Sequence, residues 1–165
     1  MLKKVKGIII KFKKALNIGN RILNDEYFKY TNEQTFKEIK KSSRRTIIIN
    51  YLLSMTTANN YLEIGVRDPR KNFNRINCKN KYSVDPGIEF KDNPVDFKFE
   101  SDCFFEQLKN KKLKLSSAIK FDVIFIDGLH LADQVNRDIL NSLNYISDEG
   151  FIILHDCNPP TEFHQ

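Results

Sequence analysis

The sequence contains no tryptophan and only three cysteines, which are Cys78, Cys103 and Cys157. The cysteines are scattered, odd in number and form no CxxC pair, which favours a reduced, cytosolic chain over a disulfide framework. No apolar run approaches the roughly 20 residues that a membrane-spanning helix requires. The apolar run at 7–10 is also too short for a secretory signal, and no small-x-small cleavage site follows it. We therefore expect a cytoplasmic protein.

Acidic residues are missing from the start of the chain, where residues 1–14 contain six lysines. Apolar residues recur there at spacings of three and four, namely Leu2, Val5, Ile9, Phe12 and Leu16. This pattern predicts an amphipathic helix. Two interpretations stay open: the helix lies on an anionic membrane surface through residues 1–16, or it packs on the domain or frays as a tail. Apart from a lysine-rich stretch at 109–114, the remaining charges nearly balance, so we expect no nucleic-acid partner.

Helix and connector patterns occupy the first third of the chain. Residues 17–32 resemble a connector rich in Asn and Tyr, and a second helix is predicted from about Glu33 to Met55. Thr31 or Asn32 is its expected cap. The chain is thus expected to consist of a basic helix with its connector at 1–32 and a single domain at 33–165.

From Tyr61 onwards, strand-like runs alternate with helical or loop segments. The predicted strands are YLEIGV at 61–66, KYSVDP at 81–86, VDFKFES at 95–101, FDVIFID at 121–127 and GFIILHD at 150–156. The clearest helix, with an apolar stripe between Leu131 and Ile146, separates the last two strands. This alternation predicts an α/β domain with a mainly parallel sheet. The almost wholly apolar runs VIFI and FIIL predict strands that are covered on both faces.

Polar residues stand at the carboxyl end of every predicted strand. These ends carry Glu63 and Gly65, Asp85, Ser101 and Asp102, Asp127 and His130, and His155 and Asp156. Ligands of open α/β sheets bind beyond the carboxyl ends of the strands. One acid in such a place is usually a cap or a solvated turn residue, but five polar ends at one edge predict a binding cleft. Asp127 then need not be buried, because its strand carries it out to this cleft.

The spacing of Gly65 and Asp85, 20 positions apart, narrows the ligand class. Nucleotide-binding βαβ units place a glycine turn against the ligand and an acid on its ribose at this spacing. The segment GVRDPR lacks the further glycines of GxGxxG, which a dinucleotide needs because its pyrophosphate sits on the helix N-terminus. A ligand with a ribose but no phosphate does not need them. The pattern therefore favours S-adenosylmethionine over NAD.

The region from Tyr61 to Gln165 resembles class I S-adenosylmethionine-dependent methyltransferases. It is most similar to the branch with IDGxH and HD strand ends, which includes sugar O-methyltransferases. In this sequence these motifs are Ile126-Asp127-Gly128-Leu129-His130 and His155-Asp156. The resemblance implies a Rossmann-like, doubly wound sheet in the order 3-2-1-4-5. The last two strands of the family have no counterpart, so we expect a C-terminally truncated domain whose open sheet edge offers a homodimer contact.

The resemblance also implies roles for the residues at the strand ends. The implied cofactor-binding residues are Glu63, Gly65, Asp85, Ser101, Asp102 and Asp127. His130 is the implied catalytic base, with Asp127 beside it, and Asp127 and Asp156 are the implied ligands of Mg²⁺, which prefers oxygen donors. The implied reaction is O-methylation of a small molecule or sugar, as in glycan biosynthesis. The ion would lower the pKa of the acceptor hydroxyl, and the histidine would take its proton.

Other interpretations of the same residues stay open. His130 could simply begin the following helix, and His155 is more readily interpreted as a structural histidine than as a ligand. Two acids are too few for a metal cage unless water and substrate complete it, and the stretch from Asp156 to Pro160 has the composition of a turn. Two alternative functions also remain: a Rossmann-like nucleotide-binding module without methyl transfer, and a non-catalytic truncated remnant.

Overall fold

The computed structural model describes the backbone of residues 2–41, 44–57, 59–89 and 94–157, with side chains from residue 11 onwards except 38, 39 and 41. The chain divides into two compact units between Ser42 and Ser43, and the second unit spans Ser43–Cys157. This division lies later in the sequence than the boundary expected at residues 32 and 33. The functions assigned to the two parts stay predictions.

Two helices form the described part of the first unit: α1 (Leu2–Asn24) and α2 (Glu26–Lys41). The prediction of a connector at 17–32 is therefore wrong. Asp25 separates the helices, and its Oδ1 accepts a hydrogen bond from the Phe28 N–H at 2.9 Å, as an N-cap side chain does. Thr31 is not a cap, because its hydroxyl donates to the Phe28 carbonyl within α2. None of the helices in the described part of the chain is long and apolar enough to cross a membrane.

The prediction of a single helix at 33–55 is also wrong. The first part of this sequence belongs to α2, and the second part forms a separate helix, α3 (Arg45–Ser54). Arg44 immediately before α3 is extended, with φ −60° and ψ 139°. A continuous helix therefore cannot pass through Arg44, because helical residues have ψ near −42°.

Four parallel strands form the sheet of the second unit: β1 (Asn60–Ile64), β2 (Asn80–Val84), β3 (Phe121–Ile126) and β4 (Ile146–Leu154). Their order is β2-β1-β3-β4. The strand predicted at 95–101 is wrong, because only Phe97 pairs there, in a single parallel bridge to Val84 of β2. This bridge lies beside β2, where the third strand of the order 3-2-1-4-5 was expected. The α/β, Rossmann-like fold class is confirmed.

Side-chain hydrogen bonds replace the ladder next to β2. The Asp96 carboxylate accepts hydrogen bonds from both the backbone N–H and the hydroxyl of Ser83, at 2.9 and 2.6 Å. The Asp96 N–H in turn donates to the Ser83 hydroxyl at 2.9 Å. Asp and Ser side chains compete in this way with backbone pairing. The alternation of VDFKFES therefore gives one bridge rather than a strand.

Helices cover both faces of the sheet, as a doubly wound fold requires. On one face, Ile49 and Leu53 of α3 pack in a core with Tyr61, Val123 and Phe125. On the other face lie α4 (Ser101–Lys109) and α5 (Ala132–Leu143). The second core contains Phe104, Phe105 and Leu108 of α4 together with Leu62, Ile64, Ile124 and Ile126. The interiors of β1 and β3 are buried on both sides, which explains the almost wholly apolar sequence of β3, whereas FIIL of β4 is only half-buried.

The acid near the start of β3, Asp122, has a structural role. Its carboxylate is buried and accepts hydrogen bonds from the backbone N–H groups of Asn59 and Asn60 at 2.8 and 2.9 Å. The Thr57 hydroxyl donates a third bond at 3.1 Å. A buried carboxylate is tolerated where donors of this kind replace its water. Asp122 thus ties the entry to β1 to the amino end of β3.

Among the described residues, β4 pairs with β3 on one side only. It begins at Ile146, four positions before the predicted start at Gly150. An outer strand presents unpaired backbone groups. The homodimer contact through this edge stays a prediction.

Candidate functional site

A cavity of about 700 Å³ opens at the carboxyl edge of the sheet in the second unit. Six residues that the sequence predicted for the site line it: Glu63, Gly65, Asp85, Ser101, Asp127 and His130. Parallel strands end at one edge, so the tips of β1, β2 and β3 bring these residues together, except Ser101, which begins α4. The volume falls in the range of small-molecule sites, roughly 300–1,000 Å³.

The turn at Gly65 shapes the floor of this cavity. Gly65 has φ +88°, which side chains strongly disfavour, and its N–H donates to the Val84 carbonyl at 2.8 Å. The Asp127 N–H donates to the Ile64 carbonyl, also at 2.8 Å. A Cβ on Gly65 would lie 2.1 Å from the Asp127 carbonyl oxygen. The tips of β1 and β3 can approach this closely only with glycine at position 65.

Asp85 follows β2 and also lines the cavity. Its Oδ1 accepts a hydrogen bond from the Gly87 N–H at 2.6 Å, and Gly87 has φ +72°. This Asx-type turn holds the carboxylate at the cavity wall. The binding of a ribose by Asp85 stays a prediction.

Ser101 and Asp102 begin α4 and point to different surroundings. Ser101 lines the cavity, and its hydroxyl oxygen accepts from the Gln134 side chain at 3.1 Å. Asp102 is not among the lining residues. Its carboxylate accepts from Arg137 at 3.0 Å and from Asn141 at 3.4 Å, which ties α4 to α5. The structure does not bring Asp102 to the cavity with the other predicted cofactor residues.

Glu63 lies at the centre of a buried polar network. Its Oε2 accepts from the Tyr61 hydroxyl at 2.7 Å and from the Asn72 side-chain amide at 3.0 Å. Asn72 in turn accepts from the Thr46 hydroxyl of α3 at 2.8 Å. Burial raises the pKa of Glu63 to about 7 against the opposing effect of these hydrogen bonds. Burial, with Glu63 next in importance, raises the pKa of Tyr61 well above its ordinary value.

Asp127 is the centre of a second cluster, at the end of β3. His155 Nδ1 lies 3.1 Å and His130 Nε2 3.7 Å from Asp127 Oδ1, while Arg45 forms an ion pair with Oδ2. Burial raises the pKa of Asp127, and the neighbouring His155, Arg45 and His130 oppose that shift. Two imidazoles and a guanidinium therefore surround one half-buried carboxylate.

The residues that could hold a metal differ from the predicted pair. Asp127, His130 and His155 offer one ligand atom each within 4.8 Å of one another. Asp156 is largely exposed, and its Oδ1 lies 3.1 Å from His155 Nδ1. That buried nitrogen makes no hydrogen bond of good geometry within the described part of the chain. His155, which the sequence favoured as a structural histidine, thus joins the candidate ligands.

Sequence reasoning missed Arg45, Asn72 and Gln134, which also line the cavity. Arg45 is the first residue of α3 and lies 5.9 Å from the Phe125 ring centroid. A cation in the first turn of a helix opposes the helix dipole. This mismatch was not detectable in the sequence, because the helix predicted at 33–55 placed Arg45 in its interior. The partner of Arg45 is Asp127, 82 positions away.

The lining residues of the cavity fall into two halves. Gly65 and Asp85 bound the first half, where backbone comes close to the lumen. His130, whose side chain is half exposed, bounds the second half beside Asp127. Imidazole exchanges protons near neutral pH, and a neighbouring carboxylate stabilises its cationic form. The cavity can therefore bind a polar small molecule and accept a proton from it.

Residues 77–157 match the family model described as a methyltransferase domain. The matched segment contains Asp85, Asp127, His130 and His155, whereas Glu63 and Gly65 precede it. Comparison with curated proteins and with solved structures finds no significant match.

Proposed function

We propose, from the match of residues 77–157 to the methyltransferase family model, that the protein methylates a hydroxyl oxygen of a small molecule or sugar with S-adenosylmethionine as donor. One observation carries the proposal. Asp85, Asp127 and His130 of the matched segment line the same cavity as the glycine turn at Gly65. A sugar acceptor would place the reaction in glycan biosynthesis.

The first half of the cavity supports binding of the donor. The Asp85 carboxylate can accept hydrogen bonds from both hydroxyls of a ribose, and it stands where nucleotide-binding folds place such an acid. Gly65 leaves room for the ligand to lie against backbone. Buried Glu63, held by Tyr61 and Asn72, supports the turn from below. S-adenosylmethionine has no phosphate, so the missing GxGxxG glycines do not count against it.

The transfer is a direct displacement in which His130 takes the acceptor proton. A bond forms between the acceptor oxygen and the methyl carbon, and the carbon–sulfur bond breaks with its electron pair going to sulfur. The hydroxyl proton passes to the His130 imidazole, and the Asp127 carboxylate stabilises the resulting cation. Arg45 fixes the orientation of Asp127 through the other carboxylate oxygen. Alignment of oxygen, methyl carbon and sulfur supplies much of the rate.

The predicted Mg²⁺ does not fit the residues that the structure brings together. Mg²⁺ prefers oxygen donors in octahedral geometry, whereas Asp127, His130 and His155 offer one carboxylate and two imidazoles. Such a donor set suits Zn²⁺ better, as in catalytic zinc sites with two histidines and one carboxylate. We therefore derive no step of the reaction through Mg²⁺.

Binding and transfer can be measured separately. Calorimetry with S-adenosylhomocysteine, S-adenosylmethionine, NAD and ATP tests the donor, and we expect the first two alone to bind. Transfer of labelled methyl to a panel of sugars and catechols tests the reaction, with His130→Ala as the inactive comparison. Binding of NAD or ATP in place of S-adenosylhomocysteine would instead favour the nucleotide-binding module. Transfer by His130→Ala at the wild-type rate would remove His130 as base.

A further inference from the structure

Helix α1 (Leu2–Asn24) carries an exposed apolar face. Five large apolar side chains of its described part are about half exposed or more: Phe12 66%, Leu16 52%, Ile18 49%, Ile22 47% and Leu23 60%. At about 100° per residue they fall within an arc of roughly 160° of the helix surface. Exposure of five neighbouring apolar side chains to water is unfavourable in free energy. We therefore expect this face to be covered by a binding partner.

The opposite side of α1 is polar and cationic. Lys13, Asn17, Asn20, Arg21 and Lys14 occupy the rest of the helix circumference. Lys11 falls at the border of the apolar arc, where a long aliphatic stem can lie along an apolar surface with its charge outside. The sequence of α1 contains six lysines and one arginine but no acid, and the first acid of the chain is Asp25.

We propose that α1 binds an anionic lipid bilayer, lying in the plane of its surface with the apolar face between the acyl chains. Charge complementarity selects this occupant, because anionic head groups flank the inserted face on both sides and meet the cations there. Nucleic acid would neutralise the cations but leave the apolar face in water. A second copy of α1 would cover that face but bring two cationic helices together.

The helix is long enough to act as an anchor without help from other segments. Its 23 residues extend about 35 Å at 1.5 Å per residue. The proposal concerns the first unit alone and does not rest on methyl transfer by the second. Loss of membrane binding and loss of activity are therefore separate results.

The absence of tryptophan from the chain gives a direct reporter. Two full-length variants place a single indole on either face: Phe12→Trp on the apolar face and Asn17→Trp on the polar face. With vesicles of phosphatidylcholine and phosphatidylserine, we expect the emission of Phe12→Trp to shift to the blue and to be quenched by brominated acyl chains. The emission of Asn17→Trp should change little, and phosphatidylcholine alone should bind both at least about tenfold more weakly.

A matched pair of charge variants separates insertion from charge attraction. Leu16→Glu and Asn17→Glu change the net charge equally at neighbouring positions on different faces. Each should lose about fivefold in binding from the charge alone, and Leu16→Glu should lose about tenfold more because it removes an inserted side chain. Circular dichroism confirms that α1 stays helical in both variants.

Three results would overturn the proposal. The first is equal binding by Leu16→Glu and Asn17→Glu, which would reduce the interaction to charge. The second is a blue-shifted Phe12→Trp spectrum without vesicles together with a dimer in light scattering, which would assign the face to a second copy. The third is that the full-length protein does not bind anionic vesicles. This result overturns the proposal whether or not the protein binds duplex RNA.

Discussion

Gly65 lies directly against the backbone of Asp127, so that a Cβ at position 65 would come within 2.1 Å of the Asp127 carbonyl oxygen and 2.6 Å of the Gly128 nitrogen. The atoms that would clash are backbone atoms, which cannot rotate away. The positive φ of Gly65 adds to this constraint. The close approach of the tips of β1 and β3 at the cavity therefore depends on the missing side chain of Gly65.

Replacing Gly65 with alanine should destabilise the fold and close the cavity. The left-handed backbone and the backbone clash together should lower the free energy of unfolding by about 2–4 kcal/mol. Urea denaturation measures this loss. Gly128→Ala is the matched control, because a Cβ there would meet only Ile64 Cγ2 at 3.6 Å. Equal stability of the two variants would contradict the interpretation.

Replacing Asp85 with asparagine should weaken binding of S-adenosylhomocysteine by about 1.5–3 kcal/mol, because a charged acceptor of ribose hydroxyls becomes neutral. The amide oxygen can still accept from the Gly87 N–H, so the turn should survive. Calorimetry gives the affinity. Asp102→Asn is the comparison, since Asp102 binds Arg137 and Asn141 instead of lining the cavity. An equal loss in Asp102→Asn would return Asp102 to the cofactor site.

Stability should fall between about pH 4.5 and pH 7 because of Glu63. Its pKa rises from the ordinary 4.5 to about 7 in the folded chain. In this window the native state keeps a proton that the unfolded state has released, so the contribution of Glu63 decreases as pH rises. The full loss above pH 7 is about 3 kcal/mol, at 1.36 kcal/mol per pKa unit.

Glu63→Gln tests this pH dependence, because its amide oxygen can accept from both Tyr61 and Asn72. We expect the variant to match the wild type near pH 4.5 and to exceed it in stability at pH 8. Urea denaturation of both proteins across this range gives the difference. A difference that is constant with pH would show that Glu63 does not titrate in this window.

Zn²⁺ should bind to Asp127, His130 and His155 and inhibit methyl transfer, because it would occupy the imidazole of His130, the proposed base. Calorimetry should show more than about tenfold weaker binding in Asp127→Asn and in His155→Gln. Asp156→Asn should retain binding, since Asp156 contacts His155 but contributes no ligand atom to the group. If Asp156→Asn and Asp127→Asn lose binding equally and His155→Gln does not, the pair predicted from the sequence is correct.

The central strands of the sheet were predictable, because continuous apolar runs must be buried and a strand covered by helices buries them. The runs containing Leu62, Ile124 and Ile152 became strands in the expected order. The run at 95–101 did not, because the Asp96 side chain bonds to Ser83 and the backbone pairs with β2 only at the single bridge of Phe97. Side-chain hydrogen bonds of a single residue produce no periodic pattern in the sequence, so sequence analysis does not detect them.

Most residues of the candidate site could be predicted from the sequence, but the directions of their side chains could not. Five strand ends indicated the edge, and six of the predicted residues line the cavity. The choice between His155 and Asp156 could not be made, because it depends on the positive φ of 53° at Asp156, where the chain turns at the exit from β4. Arg45 comes from a helix 82 positions away from Asp127 in sequence, and only the tertiary fold pairs them.

The two acids of FDVIFID have different roles at the two ends of one strand. Asp122 at its amino end is satisfied by three donors of the neighbouring segment, whereas Asp127 at its carboxyl end is surrounded by two imidazoles and a guanidinium. A library randomised at both positions would separate them. Survival of a protease screen should enrich aspartate at position 122 only, and a screen for methyl transfer should enrich it at both.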